Sequence, residues 1–127
     1  MSEANTNGIL VTVKSEYLAE RSSPSAHQYA FAYTVQISNQ GVETTQLRSR
    51  HWLITDATGE VQEVRGEGVV GAQPVLAPGE SFEYTSWCVI ATPSGSMRGS
   101  YQMVPRRGQP FDAEVAEFRL AMPHSLN

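Results

Sequence analysis

A two-residue alternation between Tyr29 and Ile37 constrains the fold of this chain more than any other feature. Large apolar side chains occupy every second position, and small or polar residues lie between them. Successive side chains of a β-strand point to opposite faces of a sheet, so the pattern predicts a strand with one buried face. Turn-forming residues at 38–41 then end it. A chain built from such segments folds as packed sheets rather than as a helical bundle.

Similar segments recur along the chain, and no stretch shows a helical apolar stripe. The predicted strands cover 9–13, 29–37, 46–55, 61–65, 82–90, 97–103, 111–115 and 118–122. The apolar parity changes between Val115 and Phe118, which indicates a β-bulge or a strand that changes sheets. About seven to eight strands with this turn spacing predict an all-β, antiparallel immunoglobulin-like sandwich. The missing cysteine pair favours its fibronectin type III-like variety.

A length of 127 residues fits one domain over 1–127, with an expected core of about 9–122 and short polar tails at 1–7 and 123–127. The net charge is −4, and the arginine pairs at 48/50 and 106/107 are expected to be solvated. Such a balance argues against nucleic-acid binding. No signal peptide or membrane-length apolar run is evident. The single cysteine, Cys88, excludes an internal disulfide, so we expect a cytoplasmic protein without membrane contact.

The segment 65–71 contains the spacing G-x-G-x-x-G at Gly66, Gly68 and Gly71. In dinucleotide-binding folds this motif joins a strand to a helix whose N-terminus holds the pyrophosphate. Here two prolines follow closely, and proline opposes helix formation. The glycines therefore indicate a loop that needs positive φ or a close backbone approach.

Anion binding is an alternative role for this loop. Successive backbone N–H groups can face a phosphate, and Arg65 would add a positive charge. The carboxylates of Glu63 and Glu67 oppose this role because they repel an anion. The small-ligand hypothesis is therefore weak binding of a phosphate, a nucleotide or a divalent cation at this loop.

Potential metal ligands are scattered. Four carboxylates surround one predicted hairpin, and their oxygen atoms would suit magnesium, but their spacing matches no EF-hand. They are Asp56, Glu60, Glu63 and Glu67. The three histidines, His27, His51 and His124, show no zinc-ligand spacing. We therefore expect no specific metal site and no cofactor.

The sequence does not align a nucleophile with a base. Cys88 alternates with predicted core residues and is expected to be a small buried apolar side chain. Ser94 and Ser96 lie in a predicted turn without the G-x-S-x-G elbow of a hydrolase. We therefore predict that the chain is not an enzyme and does not hydrolyse nucleotides.

The two tryptophans have different predicted environments. Trp52 lies in an apolar strand and should fill the core of the sandwich. Trp87 lies on the strand face opposite Phe82 and Tyr84, so it either points outward or packs beneath a loop. An outward tryptophan is a typical anchor of a protein–protein contact.

Several motifs, in this order and spacing, resemble the ApaG family. They are RHWLITD at 50–56, EVRGEGVVG at 63–71, QP at 73–74, PGE at 78–80, TPSGSM at 92–97, GSYQM at 99–103 and FRL at 118–120. The resemblance extends from about Val11 to Ala121. Trp87 is a departure, since many relatives carry glycine there.

The resemblance implies a fibronectin type III-like sandwich without an established enzymatic activity. It also implies partner recognition, since the same domain ends an F-box protein and occurs in a DNA-polymerase-delta-interacting protein. Some members are linked to cobalt and magnesium resistance, which favours the small-ligand alternative. We therefore expect a non-catalytic module that binds an unknown protein partner through an exposed sheet face or the glycine-rich loop. The candidate binding residues are Arg65, Gly66, Glu67, Gly68, Gly71 and Trp87.

Overall fold

The computed structural model describes residues 1–123, which form two antiparallel β-sheets packed face to face. The strands are β1 (Ser2–Thr6), β2 (Ile9–Tyr17), β3 (Tyr29–Asn39), β4 (Thr45–Asp56), β5 (Val61–Glu67), β6 (Val75–Leu76), β7 (Ser81–Ile90), β8 (Ser94–Pro105) and β9 (Phe111–Ala121). The first sheet has the order β1-β2-β3-β7, and the second has the order β5-β4-β8-β9 with β6 paired to β4. The prediction of an all-β immunoglobulin-like, fibronectin type III-like sandwich is confirmed.

Inward-facing side chains of both sheets form one core. On β3, the alternation read from the sequence places Phe31, Val35 and Ile37 in the interior with no exposed surface. Trp52 of β4 lies in the core, as predicted, and is only 2% exposed. Its indole contacts the ring of Tyr33 at a centroid distance of 5.4 Å and the ring of Phe118 at 6.0 Å. Such aromatic packing between the sheets stabilises the sandwich beyond simple area burial.

The N-terminal segment corrects the sequence-based expectation of a polar tail at 1–7. It forms β1, which pairs with β2 from Ser2 opposite Val13 to Thr6 opposite Ile9. The connecting turn is Asn7-Gly8, and both residues have positive φ (50° and 86°). This dipeptide is a strong hairpin signal, because a type I′ turn requires positive φ at both central residues.

Two bulges interrupt the second sheet. Met97 pairs with Phe118 and Gly99 with Val115, so β9 contains an extra residue there, and the predicted parity change is confirmed. A second, unexpected bulge lies in β4, where the register shifts between Leu47 and Ser49. Bulges bend a strand and re-aim its side chains, so both positions shape the outer surface of this sheet.

The polar connection predicted at 20–28 contains two short 3₁₀ turns, Ala19–Arg21 and Pro24–Ala26. Across residues 1–123, no helix has the length and apolarity needed to cross a membrane.

Candidate functional site

The glycine-rich segment is only partly a loop. Gly66 and Glu67 continue β5 opposite β4, which corrects the expectation that the strand ends at Arg65 and a loop follows. A tight turn follows. The Val69 N–H donates to the Ala72 carbonyl at 2.8 Å, and the Ala72 N–H donates back to Val69 at 2.9 Å. Val70 and Gly71 at its tip have φ of 42° and 82°, so the turn belongs to the I′ type.

The three glycines of the motif meet different requirements. Gly66 lies in extended backbone, and a Cβ there would be 2.8 Å from the guanidinium group of Arg50. Gly68 has φ of 64°, and a Cβ there would collide with the Ala72 carbonyl oxygen. Gly71 also has positive φ but faces open space. Each glycine therefore has a conformational or steric reason that needs no ligand.

The backbone N–H groups of this segment are largely used within the protein. Gly68 donates to the carbonyl of Arg48 at 2.9 Å, while Val69 and Ala72 donate to each other across the turn. These three groups are therefore not available to form a phosphate-binding nest.

A shallow groove crosses the outer face of β5, β4 and β8 beside the glycine-rich segment. Its lining includes Ser49, His51, Arg65, Glu67, Gln102 and Asp112. Two of its lining residues, His51 and Arg65, share one carboxylate partner. Glu63 Oε2 lies 2.6 Å from His51 Nε2 and 3.0 Å from Arg65 Nη2. The hydrogen bond from His51, helped by the charge of Arg65, lowers the pKa of Glu63. Arg65 therefore faces a carboxylate rather than an open anion site.

Beyond the His51–Glu63 pair, the candidate carboxylates and histidines of residues 1–123 do not gather into a cluster. Asp56 accepts hydrogen bonds from the Thr58 N–H at 2.9 Å and the Thr58 hydroxyl at 2.6 Å, so it stabilises the β4–β5 turn. These bonds also lower its pKa. His124 lies outside the described residues. Within 1–123, no three His, Cys, Asp or Glu side chains form a group able to hold a metal ion.

Cys88 lies on the inner side of β7 and is half-buried. Burial raises the pKa of its thiol to about 11. The thiol group donates to the Met97 sulfur at a distance of 3.8 Å. A thiol with a raised pKa is a weak nucleophile at neutral pH, since the thiolate is the reactive form.

The outer face and free edge of β7 form a second candidate site, which we name the β7 surface. β7 is the last strand of its sheet and, among the strands of residues 1–123, pairs only with β3. Trp87 is 54% exposed and Val89 is 38% exposed on its outer face. Of the two environments that the sequence left open for Trp87, the structure therefore shows the outward one. Arg21, from the 3₁₀ turn before β3, lies 5.8 Å from the Trp87 ring centre.

Sequence reasoning missed Arg50, which it treated as half of a solvated pair. Arg50 instead lies half-buried across β5, and its Nη1 donates to the carbonyls of Glu67 at 3.0 Å and Gly68 at 2.8 Å. No local pattern could reveal this role, since it depends on the pairing of β4 with β5. The arginine is therefore the residue that anchors the glycine-rich segment to the sheet.

Comparison with known proteins gives a consistent result. The family model described as ApaG domain matches residues 19–105. The chain is 56% identical to Protein ApaG of Thiobacillus denitrificans and 58% identical to Protein ApaG of Anaeromyxobacter dehalogenans, each over the full length of both chains. The crystal structure of a Bordetella pertussis protein named ApaA superposes with a TM-score of 0.88 and 56% identity, covering 92% of this chain and 95% of that one. A structural-genomics X-ray structure gives the same TM-score at 47% identity, covering 94% and 91%.

Proposed function

This chain belongs to the ApaG family, and on that premise we propose that it is a non-catalytic module that binds a protein partner through the β7 surface. The observation that carries the proposal is the exposure of Trp87 on an edge strand. A large aromatic side chain that is more than half exposed leaves apolar area in water, which a partner would cover. Tryptophan is also among the residues that most often dominate binding energy at protein interfaces.

The backbone of β7 supports the same proposal. An edge strand presents a row of unpaired N–H and C=O groups along its outer side. β7 has 10 residues and contains no proline or lysine, the residues that commonly block such an edge. An extended segment of a partner could therefore add to this sheet as a further strand. The side chains of Trp87 and Val89 would then provide apolar contacts on one face.

Arg21 gives the tryptophan a defined setting. Its guanidinium group over the indole is a cation–π arrangement, which limits the freedom of both side chains. Leu18, Ala32 and Ser86 line a depression beside the indole. A side chain held in place before binding loses less entropy on association.

The alternative proposal, a small ligand at 65–71, has less support. A phosphate bound by the backbone N–H groups of Gly68, Val69 and Ala72 would have to displace their internal hydrogen bonds. It would also approach Glu67 and compete with Glu63 for Arg65. Titration with pyrophosphate, ATP and magnesium, followed through backbone amide shifts, tests this alternative directly.

Pull-down from a native cytosolic extract with wild-type and variant protein tests the main proposal. Trp87→Ala should lose a partner that wild-type protein retains. Val61→Ala is the matched control, because Val61 is also 54% exposed but lies on the other sheet. Thermal melts of both variants must match wild type, so that lost capture reports a lost contact. A partner captured equally by wild type and Trp87→Ala would contradict the β7 surface as its site.

A separate assay tests the proposal that the protein is non-catalytic. Purified protein incubated with diadenosine tetraphosphate and other nucleotides should give no hydrolysis above a buffer blank. Turnover that follows the protein through purification would contradict it.

A further inference from the structure

A second groove lies on the outer face of β4 and β8, at the end of the sheet away from the β4–β5 turn. Two arginines, Arg48 and Arg106, line it together with Gln46, Val75, Val104 and Pro105. We name it the Arg48–Arg106 groove. No aspartate or glutamate lines it, although the whole chain has a net charge of −4. The groove is therefore locally basic on a chain that is acidic as a whole, and such a local charge attracts anions.

Arg48 is the bulged residue of β4, and its side chain lies on the same outer face as that of Gln46. Leu47 pairs with Met103 and Ser49 pairs with Gln102, so Arg48 is the extra residue without a partner on β8. Without the bulge, regular alternation would change the face on which every later residue of β4 lies. Bulges often occur beside functional sites, where they re-aim a side chain.

Hydrogen bonds then orient the Arg48 side chain. Its Nε donates to Gln46 Oε1 at 2.8 Å, and Gln46 Nε2 donates to the Gln73 carbonyl at 3.1 Å. The terminal Nη groups of Arg48 make no hydrogen bond with the part of the chain that the structure describes. A guanidinium group whose Nε is bound while both Nη groups remain without a partner in residues 1–123 can donate two parallel hydrogen bonds to an oxyanion.

Arg106 flanks the groove from the end of β8. Its backbone N–H donates to the Thr44 carbonyl at 2.7 Å, which fixes the chain beside the start of β4. Neither Arg48 nor Arg106 forms a salt bridge with any residue of 1–123. Two cations that line one groove without a counter-charge repel each other, and a bound anion would relieve that repulsion.

The floor between the arginines is apolar. Val75 of β6 is 53% exposed, and Val104 and Pro105 are partly covered. A ligand that fits both features has an anionic group and an apolar body of small size.

We propose that the Arg48–Arg106 groove binds a small molecule that carries a phosphate group. The phosphate oxygens accept hydrogen bonds from the Arg48 and Arg106 guanidinium groups, and the body of the ligand packs on Val75 and Val104. This site is separate from the β7 surface, which lies on the other sheet. It therefore adds a function to protein binding and does not depend on it.

Phenyl phosphate is a suitable probe, because it combines a phosphate with one apolar ring. In an amide-shift titration at low salt, we expect saturable shifts at Val75, Val104 and Arg106, with weaker binding of inorganic phosphate. Arg48→Gln and Arg106→Gln should each weaken phenyl phosphate about tenfold, the loss expected when a charge-assisted hydrogen bond is removed. Arg98→Gln is the matched control, because Arg98 is an exposed arginine of the same strand β8 that does not line the groove.

Three outcomes would overturn the proposal. Shifts confined to residues 68–71 would place the phosphate at the glycine-rich segment. Equal weakening by Arg98→Gln would show only non-specific attraction between charges. Binding of a polyglutamate peptide to the groove without binding of phenyl phosphate would assign it to an acidic protein segment. Native-like spectra of each variant exclude misfolding as the cause.

Discussion

The guanidinium group of Arg50 occupies the space that a side chain at Gly66 would need. A Cβ at Gly66 would lie 2.8 Å from the guanidinium carbon and from both terminal nitrogens. Arg50 and Gly66 are direct partners in the β4–β5 ladder. The arginine crosses the glycine to reach the carbonyls of Glu67 and Gly68. Two motifs that are separate in the sequence, RHWLITD and EVRGEGVVG, therefore form one structural unit.

Gly66→Ala should destabilise the protein by about 1–3 kcal/mol, although the backbone at Gly66 does not need positive φ. The new methyl group would displace the Arg50 guanidinium and break its two hydrogen bonds to backbone carbonyls. Urea unfolding measures the loss. In an Arg50→Ala background, the same substitution should cost clearly less, because the displaced group is already absent. Additive losses in this double-mutant cycle would show that Arg50 is not the reason for the glycine.

Gly68→Ala should cost more stability than Gly71→Ala. Both positions have positive φ, but only at Gly68 would a Cβ also meet a carbonyl oxygen. We expect about 1 kcal/mol for the positive φ alone at Gly71 and a further loss from the collision at Gly68. The denaturant midpoints of the two variants show which loses more stability, provided that the free energy of unfolding depends equally on denaturant in both. Equal midpoints would mean that the turn moves the Ala72 carbonyl away from the new methyl group without a loss of folding free energy.

Trp52→Ala and Trp87→Ala should differ strongly in stability. Trp52 is 2% exposed and packs against aromatic rings, so its truncation should cost about 3–5 kcal/mol. Trp87 is 54% exposed, so its truncation should cost no more than about 0.5 kcal/mol plus the small cation–π contribution of Arg21. Chemical denaturation of both variants gives the comparison. A large loss for Trp87→Ala would identify Trp87 as a structural residue and weaken its assignment as a binding anchor.

Cys88 should react slowly with thiol reagents in the folded protein. Burial raises the pKa of the thiol to about 11, so the neutral thiol dominates at pH 8 and little thiolate is available. The rate of modification should rise as the pH approaches 11, and unfolding in urea should raise it at constant pH. A fast reaction of the folded protein at pH 7 would contradict this environment.

The buried faces of the strands could be predicted because a strand with one buried face has apolar residues at every second position. β3 shows this alternation along its length. The parity change near Val115 indicated a bulge or a strand that changes sheets, and the structure has a bulge there. β1 has no such alternation, because its side chains are mostly polar. Its position is set by backbone pairing with β2. The Asn7-Gly8 dipeptide is a hairpin signal, but it predicts a strand on its polar side only when a partner strand is known.

The candidate sites were less predictable than the fold. Strand parity placed Trp87 on the outer face of β7 but left open whether a loop covers it, and its position at a sheet edge depends on the order β1-β2-β3-β7. Arg48 and Arg106 lie far apart in the sequence, and only the pairing of β4 with β8 brings them to one groove. Register and strand order arise from long-range packing, and short sequence patterns do not encode them.

The Asn7-Gly8 hairpin has a consequence for self-assembly. It gives the first sheet two unlike borders, a 5-residue polar strand at β1 and a 10-residue strand at β7. The border at β1 also lies against β9 of the other sheet, where the Glu114 N–H donates to the Thr6 hydroxyl at 3.1 Å. Growth of an open fibre through the first sheet would require both of its borders to pair with other molecules. A short polar strand is a poor template for such pairing. The hairpin therefore disfavours filament growth through the first sheet while leaving β7 open to a single incoming strand.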